Sequence, residues 1–465
     1  MSRDRPARPF HLRHDVKLWK MKGMKVLLTA IGSPGDINPT LAIGQALKTR
    51  GHQATMLVNP YFKRQTTEAG LKFLPLGTDE QLRGVKNSAF MRHPARRTGW
   101  SELVMPNIPL LLEELDAHVR ADPPDLVVYH QLSIGAPWVC RRHDVPSAVV
   151  TLSPLTWMSR EDGGVHSRTG MRDSPPKWML RLILSATNFY LRSAADKDLN
   201  LIRERFGYSH STGFWFEHIK QCELNLGMWS PYFRRSMPDD PPNGRICGFA
   251  WCDRGHDDER EHRELLEFLD EGEPPIVFTM GTSVVTAVGN FYETAAEACR
   301  RLGRRGLLLI GREENRPKRM PPGVMAACFA PHSLVFPRAC LNVHHGGAGT
   351  TAQAMRGGKP ALVIPIAFDQ FDNAARVKRL GIAKRLWRQQ VSPRLLTMRL
   401  RQILDSAGIA ARAARVGDRL RQEDGADAAA KLLEQTFAKQ SSLSEIGFPR
   451  EVERHSPTLK SAGPT

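Results

Sequence analysis

The fold is decided by residues 25–39, which read KVLLTAIGSPGDINP. The first six residues form a mostly apolar run typical of a buried strand, and the turn rich in Gly and Pro that follows opens a helical pattern. Asn38 and Pro39 are the predicted N-cap and first position of that helix, which ends at Gly51. Residues 53–59 then predict a second strand. Such short connections between strand, helix and strand are typical of a parallel α/β sheet.

The same succession recurs along most of the chain. Further strands are predicted at 71–76, 125–130, 147–152, 275–281, 307–310, 326–330, 339–344 and 361–366. Residues 238–244, PDDPPNG, are predicted to be a linker because Pro and Gly are dense there. We therefore expect an N-terminal domain over 24–237 and a C-terminal domain over 245–440, each a doubly wound α/β sheet, facing each other across a cleft.

Composition bounds the class of protein. The 465 residues are 41% hydrophobic and 25% charged, which excludes wholesale disorder and a fibrous protein. No apolar run approaches the roughly 18 residues that a transmembrane helix needs. The 7 cysteines are an odd number without a Cys-x-x-Cys pair. They indicate reduced thiols in a cytoplasmic protein rather than a disulfide framework or a zinc site.

The chain is strongly basic, with 66 Lys and Arg against 48 Asp and Glu and a net charge of +18. Such a surface favours anionic partners. Residues 1–23 carry seven basic and two acidic residues and are predicted to be a disordered basic extension, with Met24 as a candidate start. Residues 441–465 are predicted to be a disordered tail. The remaining charge is spread along the chain and no nucleic-acid motif appears, so a nucleic-acid binder is disfavoured.

The strongest functional signal is residues 343–351, VHHGGAGTT. An apolar strand ends there in two histidines, and three glycines within four residues let a ligand approach the backbone closely before a helix begins. Free N–H groups and the positive dipole end of a helix suit a phosphate, to which His345 can donate a hydrogen bond. The alternative is a Gly-rich turn with a helix cap. The stretch is neither a P-loop nor a Gly-x-Gly-x-x-Gly fingerprint.

Two shorter motifs follow other predicted strands. Residues 365–373 read PIAFDQFDN, where an Asp and a Gln can bind sugar hydroxyls unless the Asp is only a helix cap. Residues 329–332 read FAPH, where the aromatic ring can stack on a base unless it is a core residue beside a turn. Ligands of open α/β sheets bind beyond the carboxyl ends of the strands. We therefore expect all three motifs at one edge of the C-terminal sheet.

In this order and spacing, the three motifs resemble the donor-binding signature of nucleotide-sugar glycosyltransferases of family 1, the UDP-glycosyltransferase superfamily. The chain is similar to its bacterial branch of rhamnosyltransferases, sterol glucosyltransferases and antibiotic glycosyltransferases. The GSPGDINP element at 32–39 resembles that branch and the family 28 N-terminal domain. The resemblance spans about 24–440 and implies a GT-B fold of two Rossmann-like domains. The N-terminal domain would bind the acceptor, and the C-terminal domain would bind a UDP- or dTDP-sugar as co-substrate, without a cofactor or metal.

The resemblance also implies roles for individual residues. Phe329 would stack on the base, and Gln353 stands where many relatives have a Glu that holds the ribose hydroxyls. Asp369 and Gln370 would hold the donor sugar. The whole nucleotide site would comprise Gly281, Thr282, Phe329, Pro331, His332, His345, Gly346, Gly347, Gly349, Thr350, Thr351 and Gln353.

The family reaction inverts the anomeric centre by direct displacement, which needs a base for the acceptor hydroxyl. We expect Asp36 to be that base, where many plant relatives have a His backed by an Asp on a later strand. Here the later strand ends in His130, so a swapped pair of Asp36 and His130 is a hypothesis. The favoured alternative is that His130 only caps its strand. Asp36 has an alternative role too, which is to accept hydrogen bonds from backbone N–H groups of its turn.

The sequence therefore predicts an inverting, metal-independent hexosyltransferase that acts on a lipid, a sterol-like or another small hydrophobic acceptor. Basic and apolar residues in 177–205 suggest peripheral contact with a membrane; the favoured alternative is that this region covers the acceptor pocket. The main competing interpretation is a non-catalytic GT-B homologue that serves as a partner protein. Intact Asp36, His345, Asp369 and Gln370 argue against it. A nucleotide-sugar epimerase of the same architecture is disfavoured by the FAPH and Asp-Gln motifs.

Overall fold

The computed structural model describes residues 23–81, 104–162, 176–212, 218–252, 263–282 and 284–438. The first sheet contains seven strands: β1 (Lys25–Thr29), β2 (Gln53–Val58), β3 (Lys72–Pro75), β4 (Leu126–His130), β5 (Ser147–Thr151), β6 (Leu224–Gly227) and β7 (Gly244–Ile246). Their order is β3-β2-β1-β4-β5-β6-β7, and every pairing is parallel. The order reverses at β1, as in a doubly wound fold.

The helices that accompany this sheet include α1 (Pro34–Thr49), α2 (Lys63–Glu68), α3 (Asn107–Ala121), α4 (Ala136–Arg142) and α5 (Lys177–Arg205). All residues of β4 and β5 are buried. A parallel strand that is covered on both faces needs such a continuous apolar run, which is why these strands could be recognised from the sequence. Within the described residues, no helix is both long enough and apolar enough to cross a membrane.

The second sheet contains β8 (Ile276–Thr279), β9 (Gly306–Leu309), β10 (Val324–Ala327), β11 (Leu341–His344), β12 (Ala361–Val363) and β13 (Ala383–Arg385). They lie parallel in the order β10-β9-β8-β11-β12-β13. The helices in this part of the chain include α6 (Arg263–Asp270), α7 (Phe291–Leu302), α8 (His332–Val335), α9 (Ala348–Arg356), α10 (Gln370–Arg379), α11 (Pro393–Leu404), α12 (Ala407–Leu420) and α13 (Gly425–Leu433). The prediction of two doubly wound α/β domains is confirmed.

Helix α1 begins earlier than predicted. Its N-cap is Ser33, not Asn38, and Pro39 lies inside the helix. Ser33 and Asp36 form a capping box, in which the Asp36 side chain accepts the backbone N–H of Ser33. A capping box satisfies two backbone groups at a helix end, which explains why it prevails over a cap at Asn38. Pro39 costs one backbone hydrogen bond in an early turn of the helix.

The predicted linker leads into the last strand of the first sheet. Residues 238–244 end on Gly244, the first residue of β7, which pairs with β6. Residues 245–246 therefore belong to the N-terminal domain. Pro and Gly mark turns as well as linkers, and here they form a turn closed by the hydrogen bond from Gly244 N–H to the carbonyl of Pro241.

The C-terminal helix returns to the first domain. Helix α13 packs against α1, and its buried Ala429, Ala430 and Leu433 join the apolar core of the N-terminal sheet. Arg50, at the end of α1, forms ion pairs with Asp427 and Glu434. The last helix of the predicted C-terminal domain therefore packs on the first sheet. The predictions for 1–23 and 441–465 concern residues outside the described part, apart from Gly23.

Candidate active site

Both halves of the candidate site lie at carboxyl ends of strands that are neighbours in their sheets. In the first sheet Thr29 of β1 pairs with Tyr129 of β4, so the segments after these strands lie side by side. In the second sheet His344, the last residue of β11, pairs with Thr279 of β8 and with Val363 of β12. The adjacency of these strand ends brings Asp36 near His130, and the glycine-rich stretch near Gly281 and Asp369.

The two carboxylate oxygens of Asp36 have different surroundings. Oδ2 accepts hydrogen bonds from the backbone N–H of Ser33 at 2.7 Å and from the Ser33 hydroxyl at 2.8 Å. Oδ1 lies 3.9 Å from Nε2 of His130. The helix-capping role and a chemical role are therefore compatible, because one oxygen holds the turn and the other is available to a substrate.

His130 lies fully buried behind Asp36. Its Nδ1 atom accepts the backbone N–H of Leu132 at 3.4 Å, which places the ring proton of the neutral imidazole on Nε2. Burial lowers the pKa of His130, and the charge of Asp36 and a hydrogen bond with the backbone of Ile31 oppose that effect. The structure brings the predicted pair together with a neutral histidine whose N–H is near the carboxylate.

His345 lies between two glycines at the start of the second half-site. A Cβ atom at Gly281 would lie 2.2 Å from Cε1 of His345, and one at Gly347 would lie 2.5 Å from Nε2. Gly281 also has φ +67°, a conformation that a side chain strains. His345 is 3% exposed, and burial lowers its pKa to about 3, so the ring is neutral at pH 7. Its contact with a phosphate would be a neutral N–H hydrogen bond.

The glycine-rich stretch leads directly into α9. Gly346 has φ +94° and donates its N–H to Nδ1 of His344 at 3.1 Å. Gly347 is the N-cap of α9, and Thr350 and Thr351 are buried in its first turns. A Cβ atom at Gly349 would have no described atom within 4 Å. The start of the helix is thus open at one point, where backbone N–H groups can meet an anion.

These surroundings predict opposite effects for two alanine substitutions. Gly281→Ala should destabilise the protein by more than about 1–2 kcal/mol, because it adds a clash with His345 to left-handed backbone strain. Gly349→Ala should leave the ligand-free protein unchanged or stabilise it by about 0.5–1 kcal/mol. If a diphosphate occupies the open space, Gly349→Ala should nevertheless bind dTDP more weakly. Thermal unfolding with and without dTDP measures both effects, and wild-type affinity in Gly349→Ala would exclude a ligand at the helix start.

The loop before α10 is held by the Gln370 side chain. Its Oε1 atom accepts the backbone N–H groups of Ile366 and Ala367 at 2.9 and 3.0 Å. This leaves the Nε2 amide as the group that can reach a sugar. Phe368, between these residues, is 44% exposed and has φ +56°, which is a strained conformation for a bulky residue.

Asp369 is linked to the glycine-rich stretch through Asn373. The Asn373 amide donates to Asp369 Oδ2 and to the carbonyl of Gly346, both at 2.9 Å. No role is predicted for Asn373 from the sequence, although it lies in the motif at 365–373, one helical turn after Asp369. Helical spacing of four residues is the signal that predicts such a contact.

The pKa of Asp369 also depends on a charge in the opposite domain. The side chain of Asp369 is partly exposed, but desolvation by the surrounding groups raises its pKa to about 7. The negative charges of Asp36 and Asp372 also raise this pKa, whereas the hydrogen bond from Asn373 lowers it. Asp36 is therefore close enough across the cleft to act on the donor-side carboxyl. Helix α1 contacts α9 as well, so the two half-sites face each other.

The residues predicted to surround the base follow β10. Phe329 is 68% exposed, as a stacking platform needs to be. His332 stacks on Phe336 with the ring centres 4.5 Å apart, and burial lowers its pKa to about 4. Helix α8 packs against α9, which joins this motif to the glycine-rich stretch. Gln353 is partly buried on α9, Pro331 is buried at the start of α8, and Thr282 is exposed.

Two family models match separate parts of the chain. Residues 308–434 match the erythromycin biosynthesis protein CIII-like, C-terminal domain. Residues 26–106 match the glycosyltransferase family 28 N-terminal domain. The first region contains both the glycine-rich stretch and Asp369, and the second contains Asp36. These matches confirm the resemblance that the motifs predicted.

Similar proteins extend over both domains. The chain is 27% identical to an O-mycaminosyltylonolide 6-deoxyallosyltransferase of Streptomyces fradiae, over 89% of this chain and 97% of that protein. It is 26% identical to a sterol 3-beta-glucosyltransferase of Arabidopsis thaliana, over 79% of this chain and 58% of that protein. The fold is similar to that of the spinosyn rhamnosyltransferase SpnG complexed with thymidine diphosphate. The TM-score is 0.61 at 19% identity, over 88% of this chain and 100% of that one.

Proposed function

We propose that this chain, a nucleotide-sugar-dependent glycosyltransferase of the GT-B type, is an inverting, metal-independent enzyme. It transfers a hexose from a dTDP- or UDP-sugar to a hydroxyl of a small hydrophobic acceptor. The observation that carries this proposal is the orientation of Asp36. One of its oxygens is bound by the helix cap, and the other lies 3.9 Å from buried His130, in the cleft that Asp369 also faces.

The acceptor side of the reaction rests on Asp36. Its Oδ1 atom takes the proton of the acceptor hydroxyl while the hydroxyl oxygen of the acceptor forms a bond to the anomeric carbon. His130 is a positioning residue, because its Nε2–H lies behind the carboxylate and favours one orientation of it. A positioned base of this kind typically contributes about 10²–10⁴-fold to the rate.

The donor side of the reaction rests on the start of α9. As the bond from the anomeric carbon to the phosphate oxygen breaks, the electron pair goes to the nucleoside diphosphate. Backbone N–H groups around Gly349 and the N–H of His345 stabilise that growing negative charge. Fixed donors of this kind act without reorganisation during the reaction. Asp369 and the Nε2 amide of Gln370 hold the sugar hydroxyls.

The similar proteins favour particular substrates. The complex of SpnG contains thymidine diphosphate, which supports testing dTDP-sugars first. The Streptomyces fradiae relative spans nearly the same length and acts on O-mycaminosyltylonolide, and the Arabidopsis relative acts on sterols. The shared chemistry is a hydroxyl on a bulky, largely apolar molecule. We therefore propose this acceptor class, and a lipid alcohol is one member of it.

Exposed apolar side chains on α5 support peripheral membrane contact as part of the proposal. Trp178, Leu182 and Phe189 are 65%, 62% and 75% exposed, and their spacing places them on one side of the helix. A basic chain with exposed aromatic residues is suited to an anionic lipid surface on the cytoplasmic side. Flotation with phosphatidylglycerol vesicles should recover the wild type, and less of a Trp178→Asp, Phe189→Asp variant. Equal recovery of both would remove this contact.

The test of the proposed function needs the full chain and two measurements. Thermal unfolding in EDTA with dTDP, UDP, GDP and their sugars should show stabilisation by the dTDP or UDP ligands. At 100 times Kd the expected stabilisation is about 2.7 kcal/mol. With a hydrophobic alcohol as acceptor, NMR of the product should show inverted anomeric configuration. A folded protein that binds none of these nucleotides would favour the non-catalytic alternative, and a product with retained configuration would contradict the mechanism.

The raised pKa of Asp369 predicts that donor use depends on pH. Its pKa of about 7 means that the carboxyl becomes ionised, and a better acceptor of sugar hydroxyls, as the pH rises through 7. We expect kcat/KM for the donor to rise around pH 7, and Asp369→Asn to lose this step.

Asp369 also predicts a pH dependence of stability. Because its pKa is higher in the folded than in the unfolded protein, Asp369 stabilises the ligand-free fold below about pH 4 and loses that contribution by about pH 7. Unfolding measured from pH 5 to 8 in both proteins checks this, and an unchanged profile in the variant would contradict it.

A further inference from the structure

A cluster of six charged side chains joins the two domains outside the residues assigned above. We call it the interdomain cluster; it consists of Asp162, Arg234 and Asp240 from the N-terminal domain and Asp372, Arg376 and Arg379 from α10. Arg376 contacts Asp162 at 2.5 Å and Asp372 at 2.7 Å. Asp162 also lies 3.4 Å from Arg234 and 3.5 Å from Arg379. Asp162 is therefore the acidic group at which arginines of both domains meet.

Most of the interdomain cluster is removed from solvent. The exposed fractions of the Asp372, Arg234, Arg376 and Asp162 side chains are 0%, 1%, 3% and 9%. Burial alone would lower the pKa of Arg376, but the charges of Asp372 and Asp162 raise it. Attractions between such buried charges are strong, but each charge costs desolvation energy, so an arrangement of this kind is weak evidence for stability alone.

Asp162 lies in a hydrogen-bonded turn of the N-terminal domain. Its backbone N–H donates to the Ser159 hydroxyl at 3.0 Å, and that hydroxyl donates to Asp239 at 2.7 Å. The neighbouring Asp240 pairs with Arg234. The cluster thus begins on a hydrogen-bonded turn of the first domain and ends on the helix that carries Asp369 and Gln370. Arg376 follows Asp369 by seven residues, which is about 10 Å along a helix.

The cluster also adjoins the place where the chain crosses between the domains. Gly248, after β7, and Gly425, at the start of α13, lie against each other, since a Cβ atom at Gly425 would be 2.3 Å from the Gly248 carbonyl oxygen. The Gly425 N–H donates to the carbonyl of Phe249, whose ring packs against Phe233, beside Arg234. A rotation about these crossings would change the distance between Asp162 and Arg376.

We propose that Asp162 is a positioning residue that latches α10 to the N-terminal domain and so sets the distance between Asp369 and the acceptor-side Asp36. The latch holds the donor sugar in line with the acceptor hydroxyl without touching either one. This inference rests on the proposed function for its kinetic consequence, whereas the latch itself is a physical contact.

Asp162→Asn is a suitable variant because it leaves no buried arginine without an acidic partner. Arg376 keeps Asp372, and Arg234 keeps Asp240. Asp162→Glu retains the charge and serves as the rescue. Asp418→Asn is the matched control, because it removes the same charge from an exposed pair with Arg421 on α12.

Two measurements test the latch. Small-angle scattering of the ligand-free protein should give a larger radius of gyration for Asp162→Asn than for the wild type, Asp162→Glu and Asp418→Asn. With a working transfer assay, Asp162→Asn should lower kcat/KM by about tenfold, a typical coupling between sites. Its affinity for dTDP alone should not change, because that ligand contacts the C-terminal domain. The donor should also be hydrolysed more often per transfer, since water enters a wider cleft.

Several outcomes would overturn the latch. A radius of gyration and kcat/KM equal to those of the wild type would show that Asp162 does not set the cleft. Loss of dTDP affinity together with a lower unfolding temperature would show damage to α10 instead. If the wild type has no transferase activity, the proposed function fails, but scattering still tests the latch. An unchanged radius would then overturn it, and a larger radius would support it.

Discussion

Asp36→Asn is expected to lower kcat by about 10²–10⁴-fold, the usual contribution of a positioned general base. The amide cannot take the proton of the acceptor hydroxyl, whereas its oxygen can still accept the N–H of Ser33 that caps α1. Binding of dTDP should remain at the wild-type level, because the nucleotide residues lie in the other domain. Steady-state kinetics with saturating donor, beside nucleotide titration, measures both quantities. Retained turnover with unchanged donor affinity would remove Asp36 from the mechanism.

The capping role of Asp36 needs its own control. Ser33→Ala removes the hydroxyl that donates to Asp36 Oδ2 but keeps the carboxylate and the backbone hydrogen bond. We expect it to cost about 0.5–2 kcal/mol of stability, as the loss of an N-cap does, with a much smaller effect on kcat. If Ser33→Ala lowers kcat as much as Asp36→Asn does, the turn geometry rather than the base determines the rate.

His345→Ala is expected to weaken binding of the nucleotide sugar by about 10- to 150-fold. A hydrogen bond to a charged group contributes about 1.5–3 kcal/mol, which corresponds to that range of Kd. The stabilisation by donor at 100 times the wild-type Kd should then fall from about 2.7 to about 1.4 kcal/mol or less. Thermal unfolding with and without donor gives both values for each protein.

A conservative variant separates the hydrogen bond from packing. His345 fills the space between Gly281 and Gly347, so alanine also leaves a cavity and lowers the stability of the ligand-free protein. His345→Gln fills much of that space and supplies an N–H donor, so part of the donor affinity should return. Equal binding by the wild type and His345→Ala would exclude contact between this side chain and the phosphates.

Several features were predictable because they depend on neighbours along the chain. Strands β1, β4, β5, β8 and β11 are buried on both faces and therefore appear as apolar runs. Three strands were missed: β6 (LNLG), β7 (GRI) and β13 (AKR) contain glycine, polar or charged residues in place of a continuous apolar run. Such runs become strands because a neighbouring strand supplies the hydrogen bonds. The predicted linker at 238–244 contains the turn that leads into β7, and a turn and a linker have the same local composition.

Some features of the candidate site were also predictable from the sequence, and others were not. The residue types and the strand-end positions of His345, Asp369 and Asp36 were visible in the sequence, as was their likeness to a glycosyltransferase signature. The sequence suggested both roles of Asp36, but it did not show that Oδ2 belongs to the helix cap and that Oδ1 lies on the side of His130. Sequence spacing does not tell which oxygen of a carboxylate a neighbouring strand faces.

The sequence by itself determined the class of the protein: two α/β domains, a glycine-rich helix start and a carboxylate after the first strand. These are local properties of burial, turn formation and helix capping, and each is encoded within about ten residues. The tertiary structure alone decided which groups act on one another across the cleft. The raised pKa of Asp369, the 3.9 Å between Asp36 and His130, and the meeting of Asp162 with Arg376 join residues up to 333 positions apart. Charge interaction and desolvation depend on distance in space, which is set when the two sheets pack together.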